Sequence, residues 1–524
     1  MPVINSIVRW LNLKRLHQID LFRKYPDEVQ KEVLFQLLRK AENTEWGIQH
    51  GFKSITSLQQ FQERNPVQKY EEISPLIKRV MNGEQNILWP SDVKWFAKSS
   101  GTTGDKSKFI PVTSESLEEC HYRGGKDVLA FYFFNYPDTS VLTGKSLTLG
   151  GSHQINPVGK NSYYGDLSAI LIDNLPFWAD LIKTPPQEIA LLEKWEEKLE
   201  KLSRITVLEN VTSIAGVPSW MLVLLRYILE KTGKKTIPEV WPNLELFIHG
   251  GVSFRPYRDQ YLQLIPSEKM HYMEAYNASE GFFAIQDDPL RDDMLLMLDY
   301  GIFYEFIPMD QLNNGNLKAC SIGEVETGKN YALIITTSGG LWRYLIGDTV
   351  QFTSLYPHKI KITGRTKLYL NVFGEEVIIE NAEKAIEDAC RQTGAVFREF
   401  TAGPVFMEGN QRGRHEWIIE FENPPADGEL FARVLDKALQ AVNSDYEAKR
   451  YHNITLEPPI IRYVAKGTFY KWMKQKGRLG GQNKVPRLWN DRKYIEELTE
   501  IYGKVSSDVF MPDATSSAFT SQEN

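Results

Sequence analysis

A run of small hydroxyl residues and glycines between two apolar stretches is the feature that most constrains this 524-residue chain. Residues 98–108 read KSSGTTGDKSK, and the β-leaning runs 93–97 and 109–113 on either side predict strand, loop, strand. Backbone N–H groups and hydroxyls in such a loop can bind phosphate oxygens, and lysines add positive charge. Lys106 resembles the end of a Walker A loop, but Asp105 before it, the glycine spacing and the strand flanks do not fit. A phosphate loop of another class and a solvated hairpin both remain open from this segment alone.

Length and composition limit the remaining possibilities. A chain of this length is too long for one ordinary core, so a large domain plus a smaller one is expected. Hydrophobic residues make up 42% and charged residues 24% of the chain, which is typical of soluble globular proteins. The net charge of -6 provides no global positive field, and we therefore expect no nucleic-acid partner.

The cysteines and the N-terminal stretch indicate the cellular compartment in which the protein is expected. Cys120, Cys320 and Cys390 form no CxxC or Cys/His cluster, which indicates a reducing, cytoplasmic compartment. No apolar run is long enough to span a membrane. Residues 1–25 lack a secretory h-region but carry apolar residues at helical spacing among basic ones. A packing helix is the simpler interpretation, with a transit peptide or surface-binding helix as the alternative.

Hydrophobic periodicity predicts alternating helices and strands, and therefore an α/β fold. Two amphipathic helices are expected within residues 6–43, the second spanning 26–40 and opened by Pro26. A charged helix with apolar residues three and four apart is expected at 187–204. Such a pattern is typical of mixed sheets with flanking helices.

The pattern changes along the second half of the chain. Residues 244–350 carry β-leaning runs separated by turn residues, which predicts a strand-rich region. After Gly364 shorter strands and a helix at 428–449 predict a smaller α+β domain. We expect a large domain over 1–364, a small one over 365–510, and a disordered tail over 511–524.

Two further segments carry side chains suited to nucleotide binding. Residues 276–281, YNASEG, follow a predicted strand and combine a ring that can face a purine with a carboxylate that can hold Mg²⁺. Residues 342–348, WRYLIGD, end in an acid that can accept hydrogen bonds from both ribose hydroxyls. Taken alone, a core ring at Tyr276, a surface acid at Glu280 and a turn aspartate at Asp348 are the alternatives.

A glycine segment near the C-terminus carries a lysine. Residues 480–487 read GGQNKVPR, and the residue before Pro486 is disfavoured in the α region, so Lys484 leads into an extended stretch. Lys484 is a candidate for a moving cation. A lone lysine in a charged tail is usually solvated, so the order of the other segments decides between the two interpretations.

The order of these segments resembles the adenylate-forming superfamily of acyl-CoA synthetases, luciferases and adenylation domains. More narrowly, the chain is similar to the Gretchen Hagen, auxin-responsive family of acyl acid amido synthetases. The matching segments are SSGTTGDKSKFIP, YNASEGFF, GIFYEFIP, GLWRYLIGD and QNKVPR, which lie between about residues 95 and 490. Plant members carry Arg where this chain has Leu345 and Ser where it has Ala278, and these departures concern the substrate class.

The resemblance implies a large N-terminal adenylate-forming domain, a smaller mobile C-terminal domain, and a site for ATP and magnesium. It implies that Glu280 binds magnesium, that Ser279 contacts the α-phosphate, and that Lys484 contacts the reacting phosphate. The remaining residues that it assigns to ATP or AMP are Ser99, Ser100, Gly101, Thr102, Thr103, Lys108, Gly251, Tyr276, Asn277, Ala278, Asp348 and Arg365. Among them Tyr276 contacts the adenine, Asp348 the ribose, and Arg365 lies near the hinge.

The implied reaction activates a carboxylic acid as its acyl-adenylate and transfers the acyl group to the amine of an amino acid. Acyl-CoA ligation through the same adenylate and a catalytically silent nucleotide-binding protein are the alternatives. The rings of Trp220, Tyr304 and Trp342 are candidates for the acyl pocket, although aromatic residues are more often core. His249 is a candidate base only by proximity, and we expect a monomer.

Overall fold

The computed structural model describes most of the chain, in two compact units. The described residues are 2–100, 107–150, 155–158, 161–175, 182–192, 195–251, 254, 257–313, 317–366, 369–375, 377–407, 412–451, 455–476, 485–502 and 509–510. The larger unit contains those up to Ser99, from Lys108 to Phe254 and from Tyr261 to Thr366. The smaller unit contains those beyond Thr366 together with short earlier segments such as 257–260.

The strands before Thr366 form a small sheet and a large mixed sheet. In chain order they are β1 (Trp95–Ser100), β2 (Ser107–Val112), β3 (Lys145–Thr148), β4 (Asn156–Pro157), β5 (Tyr163–Gly165), β6 (Lys183–Thr184), β7 (Val211–Gly216), β8 (Leu246–His249), β9 (His271–Ala278), β10 (Gly281–Ile285), β11 (Met294–Leu296), β12 (Ile302–Pro308), β13 (Asn330–Thr337), β14 (Tyr344–Leu355) and β15 (His358–Arg365). The small sheet has the order β2-β1-β5-β4. The large sheet has the order β12-β13-β14-β15-β11-β10-β9-β8-β7-β3-β6.

The large sheet has a parallel half and an antiparallel half. The parallel half contains β6, β3, β7, β8 and β9. The antiparallel half continues from β9 through β10, β11, β15, β14, β13 and β12, and each of these strands pairs antiparallel with the one before it. Strands of both halves, such as β7 and β12, are buried almost throughout, which is expected when helices and loops cover both faces. The expected α/β fold with mixed sheets and flanking helices is confirmed.

The helices before Thr366 supply this cover. They are α1 (Pro2–Lys24), α2 (Pro26–Ala41), α3 (Glu45–Gln49), α4 (Leu58–Arg64), α5 (Tyr70–Met81), a π-helix (Ser116–Tyr122), α6 (Arg123–Asn135), α7 (Leu167–Asp173), α8 (Gln187–Ala190), α9 (Trp195–Thr206), α10 (Pro218–Thr232), α11 (Arg258–Leu264) and α12 (Met309–Asn313). The helix expected at 187–204 is two helices, α8 and α9. The pair expected at 6–43 is confirmed as α1 and α2.

The N-terminal helix packs against the rest of the larger unit. Ile19 and Phe22 of α1 are buried, and Arg15 forms ion pairs with Asp127 on α6 and with Asp299. The interpretation of this stretch as a packing helix is therefore confirmed for its described side chains. No described helix is both long and apolar enough to cross a membrane.

The smaller unit is an α+β arrangement. Its strands are β16 (Tyr369–Leu370), β17 (Val377–Ile378), β18 (Val396–Val405), β19 (Arg414–Asn423), β20 (Ile460–Val464) and β21 (Val509–Phe510), of which the last four form one sheet in that order. Its helices are α13 (Ile379–Thr393), α14 (Gly428–Val442), α15 (Ser444–Arg450), α16 (Thr468–Gln475) and α17 (Lys493–Tyr502).

One expected helix of the smaller unit is two helices, separated by a capping residue. The helix expected at 428–449 is divided into α14 and α15 at Asn443, whose backbone is extended. The Asn443 side chain accepts a hydrogen bond of 2.7 Å from the Tyr446 N–H and so opens α15. The expected tail at 511–524 lies outside the described residues.

Candidate active site

The hairpin of β9 and β10 brings a ring and a carboxylate together. Tyr276 is the antepenultimate residue of β9 and is 5% exposed. Its hydroxyl donates a hydrogen bond of 2.5 Å to Oδ2 of Asp348, which is 6% exposed. Two residues that the resemblance assigns to adenine and ribose, 72 positions apart in sequence, are therefore in direct contact.

The backbone around Asp348 explains how its carboxylate is held. Gly347 has φ of +97°, a conformation that favours glycine and bends β14 just before Asp348. Asp348 pairs with Arg365 across β14 and β15, and the Thr366 N–H donates to the Gly347 carbonyl at 2.8 Å. The predicted hinge residue Arg365 thus lies opposite the predicted ribose ligand in the sheet register.

Two side chains of the π-helix form hydrogen bonds with the β9–β10 hairpin. Nδ1 of His121 lies 3.0 Å from Oδ1 of Asn277, and Sγ of Cys120 accepts a hydrogen bond of 3.1 Å from the Phe282 N–H. Burial lowers the pKa of His121 to about 4, although the hydrogen bond with Asn277 acts in the opposite direction. Isolated π-helical turns often occur at functional sites.

The turn of the hairpin carries the predicted α-phosphate and metal residues. Ser279 and Glu280 form the turn between Ala278 and Gly281, and both side chains are partly buried. Among the described residues, no group of three or more His, Cys, Asp or Glu side chains could hold a metal ion. A single carboxylate fits magnesium, which proteins usually bind through one or two carboxylates plus substrate phosphates.

Strands β1 and β2 frame the predicted phosphate loop, as expected. Ser99 is partly buried near the end of β1, and Ser100 ends that strand, whereas Gly101, Thr102 and Thr103 lie outside the described residues. Their contacts with phosphate therefore stay a prediction.

Lys108 on β2 lies in an aromatic environment. It is 5% exposed, and its Nζ donates a hydrogen bond of 3.3 Å to the hydroxyl of Tyr344. The same nitrogen lies 5.6 Å from the ring centre of Tyr70 and 5.8 Å from that of Tyr344. Cation–π attraction from the two rings stabilises its charge, and Tyr344 is only four residues from Asp348.

The carboxyl ends of the parallel strands lie at one edge of the sheet, where ligands of α/β proteins commonly bind. Gly251, predicted to contact ATP, follows β8 at this edge with φ of +81°. A Cβ atom on the preceding Gly250 would lie 2.2 Å from the Ala275 carbonyl oxygen of β9, so this position requires glycine. The glycines thus keep the backbones of β8 and β9 close just before Tyr276.

His249 at the end of β8 behaves as a core histidine. It is 4% exposed, its ring stacks on Phe254 at 4.2 Å, and Nδ1 meets no hydrogen-bond partner among the described residues. Burial lowers its pKa to about 3. A base so weak is poorly suited to remove a proton from an ammonium group.

A buried ion pair that the sequence did not single out supports the strand of Asp348. Arg343, with φ of +45°, donates from Nε and Nη2 to both oxygens of Glu305 at 2.8 and 2.9 Å. Both side chains are nearly inaccessible, and Arg343 also donates to the Asn65 carbonyl at 2.6 Å. The pair fixes the backbone just before Tyr344. Both residues lie in quoted motifs, GLWRYLIGD and GIFYEFIP, but they are 38 residues apart, and no local spacing indicates that they pair.

The three candidate rings of the acyl pocket lie in different environments. Trp342 is fully buried, donates from Nε1 to the Leu88 carbonyl at 3.0 Å, and packs edge-on against Phe52. Tyr304 is also fully buried, whereas Trp220 near the start of α10 is partly buried. Contact of these rings with an acyl group stays a prediction.

Lys484 lies outside the described residues, but the stretch after it is firmly anchored in the smaller unit. The Ala402 N–H of β18 donates to the Arg487 carbonyl at 2.7 Å, and the Trp489 N–H donates to the Ala402 carbonyl at 3.1 Å. The Arg487 side chain donates to Glu399 at 2.8 Å. The chain after Lys484 thus runs as an extended segment beside β18.

Comparison with known proteins agrees with this geometry. The sequence pattern of the GH3 family N-terminal domain matches residues 15–270, that of its central domain residues 295–365, and that of its C-terminal domain residues 380–493. Indole-3-acetic acid-amido synthetase GH3.3 of Arabidopsis thaliana is 24% identical over 96% of this chain and 95% of its own length. The 4-substituted benzoates-glutamate ligase GH3.12 of the same plant is 22% identical over 90% and 94%.

Solved structures share the fold. The AtGH3.15 acyl acid amido synthetase in complex with 2,4-DB has a TM-score of 0.62 at 17% identity, covering 98% of both chains. A 2-hydroxyisobutyryl-CoA ligase with 2-HIB-AMP and CoA has a TM-score of 0.56 at 13% identity, covering 91% of this chain and 93% of its own. The matched domain patterns span most of the sequence, and the resemblance to the Gretchen Hagen family is confirmed: the chain belongs to the GH3 family.

Proposed function

We propose that this protein is an ATP-dependent acyl acid amido synthetase. In the first step a substrate carboxylate attacks the α-phosphorus of ATP, which forms the acyl-adenylate and releases pyrophosphate. In the second step the amine of an amino acid attacks the acyl carbon, which forms the amide and releases AMP and a proton. The contact between Tyr276 and Asp348, in a chain of the GH3 family, is the observation that carries this proposal.

The adenosine half of ATP is proposed to bind around this contact. The ring of Tyr276 faces the adenine, and the carboxylate of Asp348 accepts hydrogen bonds from the ribose hydroxyls. Asn277, Ala278 and Gly251 supply polar groups and backbone around the base. Arg365 lies beside Asp348 in the sheet, which supports its proposed place near the hinge.

The phosphates are proposed to contact residues of the hairpin turn and of the predicted phosphate loop. Ser279 contacts the α-phosphate, while Ser99, Ser100, Gly101, Thr102 and Thr103 offer hydroxyls and backbone N–H groups. Lys108, the second residue of β2, adds positive charge. Donors placed before the reaction stabilise the charge that develops as pyrophosphate leaves.

Magnesium is proposed to bind through Glu280 and the phosphates. When bound, it neutralises phosphate charge in the transition state. The fit rests on one carboxylate at the hairpin turn, which agrees with the few protein ligands that magnesium usually takes.

Lys484 is proposed to contact the reacting phosphate during adenylation. Because the stretch from Arg487 is paired with β18, the lysine lies three residues before a hydrogen-bonded segment of the smaller unit. We propose a large ATP- and acyl-binding domain over 1–364 and a small lid domain over 365–510. This division rests on an analogy with the adenylate-forming superfamily, in which the small domain moves between the two steps.

The substrates are proposed to be a small carboxylic acid and an amino acid. The printed names of the relatives support this class, since they refer to indole-3-acetic acid and to 4-substituted benzoates with glutamate. The acyl group is proposed to contact Trp220, Tyr304 and Trp342. We further propose a cytoplasmic monomer that binds no nucleic acid. The three free cysteines support a reducing compartment, and the net charge of -6 supports the absence of a nucleic-acid partner.

Product identification tests the proposal. The protein is incubated with ATP, magnesium and a panel of carboxylic acids, with either a mixture of amino acids or CoA, and products are identified by mass. An amide whose formation requires both acid and amino acid, with AMP as coproduct, is expected. A thioester without amide would favour acyl-CoA ligation, and the absence of any acyl product would contradict the proposal.

A further inference from the structure

Lys108 places its ammonium group beside two tyrosine rings that come from different elements. The lysine is the second residue of β2, whereas Tyr70 begins α5 and Tyr344 begins β14. All three residues are at most 9% exposed. Nζ of Lys108 lies 5.6 and 5.8 Å from the two ring centres and donates to the Tyr344 hydroxyl at 3.3 Å. These two rings, the tyrosine clamp, hold one ammonium group.

Backbone hydrogen bonds fix the two halves of the tyrosine clamp relative to each other. Gln68, two residues before Tyr70, forms a parallel bridge with Tyr344. Its N–H donates to the Arg343 carbonyl at 2.9 Å, and its carbonyl accepts from the Leu345 N–H at 2.8 Å. The clamp is therefore held by contacts other than its contacts with Lys108.

The hydroxyl of Tyr70 also fixes the strand that carries the lysine. It accepts a hydrogen bond of 2.8 Å from the N–H of Phe109, the residue after Lys108. The lysine is thus fixed near its backbone by Tyr70 and at its tip by Tyr344. A lysine side chain has many rotamers, and ordering it before a ligand arrives removes an entropy cost from binding.

Aromatic rings stabilise an ammonium group in a way that suits phosphate binding. The negative faces of the rings attract the charge but, unlike a carboxylate, do not neutralise it. The positive charge can therefore still act on an anionic ligand, and it acts more strongly where little water is present. An ammonium group has three N–H donors, of which Tyr344 takes one.

We propose that Tyr70 and Tyr344 are positioning residues, which hold the ammonium group of Lys108 for the two phosphates of ATP that leave as pyrophosphate. Ser279 is proposed for the α-phosphate, and Lys108 lies on the strand that follows the predicted phosphate loop. The tyrosine clamp therefore contributes to the binding of ATP but not to that of AMP. The inference rests on the proposed function for the presence of ATP at this loop.

The test measures the affinities for ATP and AMP by calorimetry with magnesium present, and includes pyrophosphate exchange as a separate readout. Tyr344→Phe removes the hydroxyl but keeps the ring, whereas Tyr344→Leu removes both. Tyr227→Leu is the matched control, because Tyr227 on α10 also lies beside a lysine, with its ring centre 5.2 Å from Nζ of Lys231. Unchanged binding of AMP shows that the nucleotide site of a variant is folded.

The affinity for ATP is expected to fall about fivefold in Tyr344→Phe and further in Tyr344→Leu, in the range of one hydrogen bond to a charged group and one cation–π contact. The affinity of Tyr344→Phe for AMP should equal that of the unmodified protein. Tyr227→Leu should change neither affinity. An equal loss for ATP and AMP in Tyr344→Phe, or no loss for ATP, would overturn the inference even if exchange proceeds and the proposed function holds.

A double-mutant cycle with Lys108→Met shows whether Tyr344 acts through the lysine. In the Lys108→Met background, Tyr344→Phe should cause little further loss of affinity for ATP. The same loss in both backgrounds would overturn the inference and leave the proposed function intact. The expected cycle in a protein without exchange would support the inference and contradict the proposed reaction, and an unmodified protein that binds no ATP would contradict both.

Discussion

The hydroxyl of Tyr276 and the carboxylate of Asp348 are joined by a hydrogen bond of 2.5 Å between β9 and β14. Strands β10, β11 and β15 lie between these two in the sheet order, so the contact requires the sheet to curl. The curled sheet brings together the residues proposed to bind the two halves of adenosine. The hydrogen bond fixes the position of the Tyr276 ring relative to the Asp348 carboxylate.

Removal of this hydrogen bond should weaken ATP binding. Tyr276→Phe keeps the ring but leaves Oδ2 of Asp348 without this donor, and a hydrogen bond to a charged group contributes about 1.5–3 kcal/mol. The KM for ATP in pyrophosphate exchange should therefore rise about tenfold or more. Tyr331→Phe, which removes a buried hydroxyl that accepts from the Glu326 N–H, should leave this KM unchanged. Equal values in Tyr276→Phe and the unmodified protein would contradict the assigned role.

Breaking the buried pair of Arg343 and Glu305 should destabilise the protein strongly. Arg343→Met leaves the Glu305 carboxylate buried without its partner, which costs about 3–5 kcal/mol. Urea unfolding of the variant measures this loss. Arg39→Met removes the exposed pair with Glu32 and should change the free energy of unfolding by less than about 1 kcal/mol. Similar losses in the two variants would show that Arg343 does not stabilise the strand of Asp348 in this way.

The sequence predicted the parts of the site that lie within continuous motifs. Tyr276 and Asp348 could be proposed because each follows a β-leaning run, and their order along the chain matched a family pattern. Their mutual contact could not be predicted, because it depends on the curl of a sheet whose strand order differs from the chain order. Local patterns specify which elements form, whereas the packing of distant elements decides which side chains meet.

Partners from distant elements account for most of what the sequence missed. His121 lies 156 residues from Asn277, and Glu305 lies 38 residues from Arg343, so no spacing rule connects either pair. The division of one expected helix at Asn443 had a local cause, since asparagine favours helix N-caps. In that case a cap signal was present but was outweighed by the helical periodicity on both sides.

Lys484→Ala should affect the two half-reactions differently. Loss of a positive charge at the reacting phosphate should lower the rate of pyrophosphate exchange by roughly a hundredfold, in the range found when one preorganised donor is removed. Reaction of a preformed acyl-adenylate with the amine should change little. Lys466→Ala, which removes an exposed lysine paired with Glu422, is the control. Equal slowing of both half-reactions by Lys484→Ala would refute the role in adenylation.

Glu274 on β9 should make stability depend on pH. Burial, aided by the negative charge of Asp292, raises the pKa of Glu274 from 4.5 to about 7, while Lys361 acts in the opposite direction. The folded state then holds this proton more tightly than the unfolded state, so the contribution of Glu274 to stability is full below pH 4.5 and falls up to about pH 7.

The variant Glu274→Gln keeps the shape of the protonated group and cannot lose a proton. Its free energy of unfolding should therefore rise relative to that of the unmodified protein as the pH increases from 4.5 to 8, as measured by urea unfolding across this range. The exposed variant Glu230→Gln should show no such trend. A difference that stays constant or changes sign with pH would contradict the raised pKa.

Carboxylate-dependent exchange of pyrophosphate into ATP tests the central claim most directly, because only reversible formation of an acyl-adenylate produces it. The purified protein is incubated with ATP, magnesium, labelled pyrophosphate and each member of a broad panel of carboxylic acids, without any amine or CoA. We predict label in ATP with at least one acid and none without acid. Exchange that is absent with every acid, in a folded protein that binds ATP, would contradict the account and favour a silent nucleotide-binding protein.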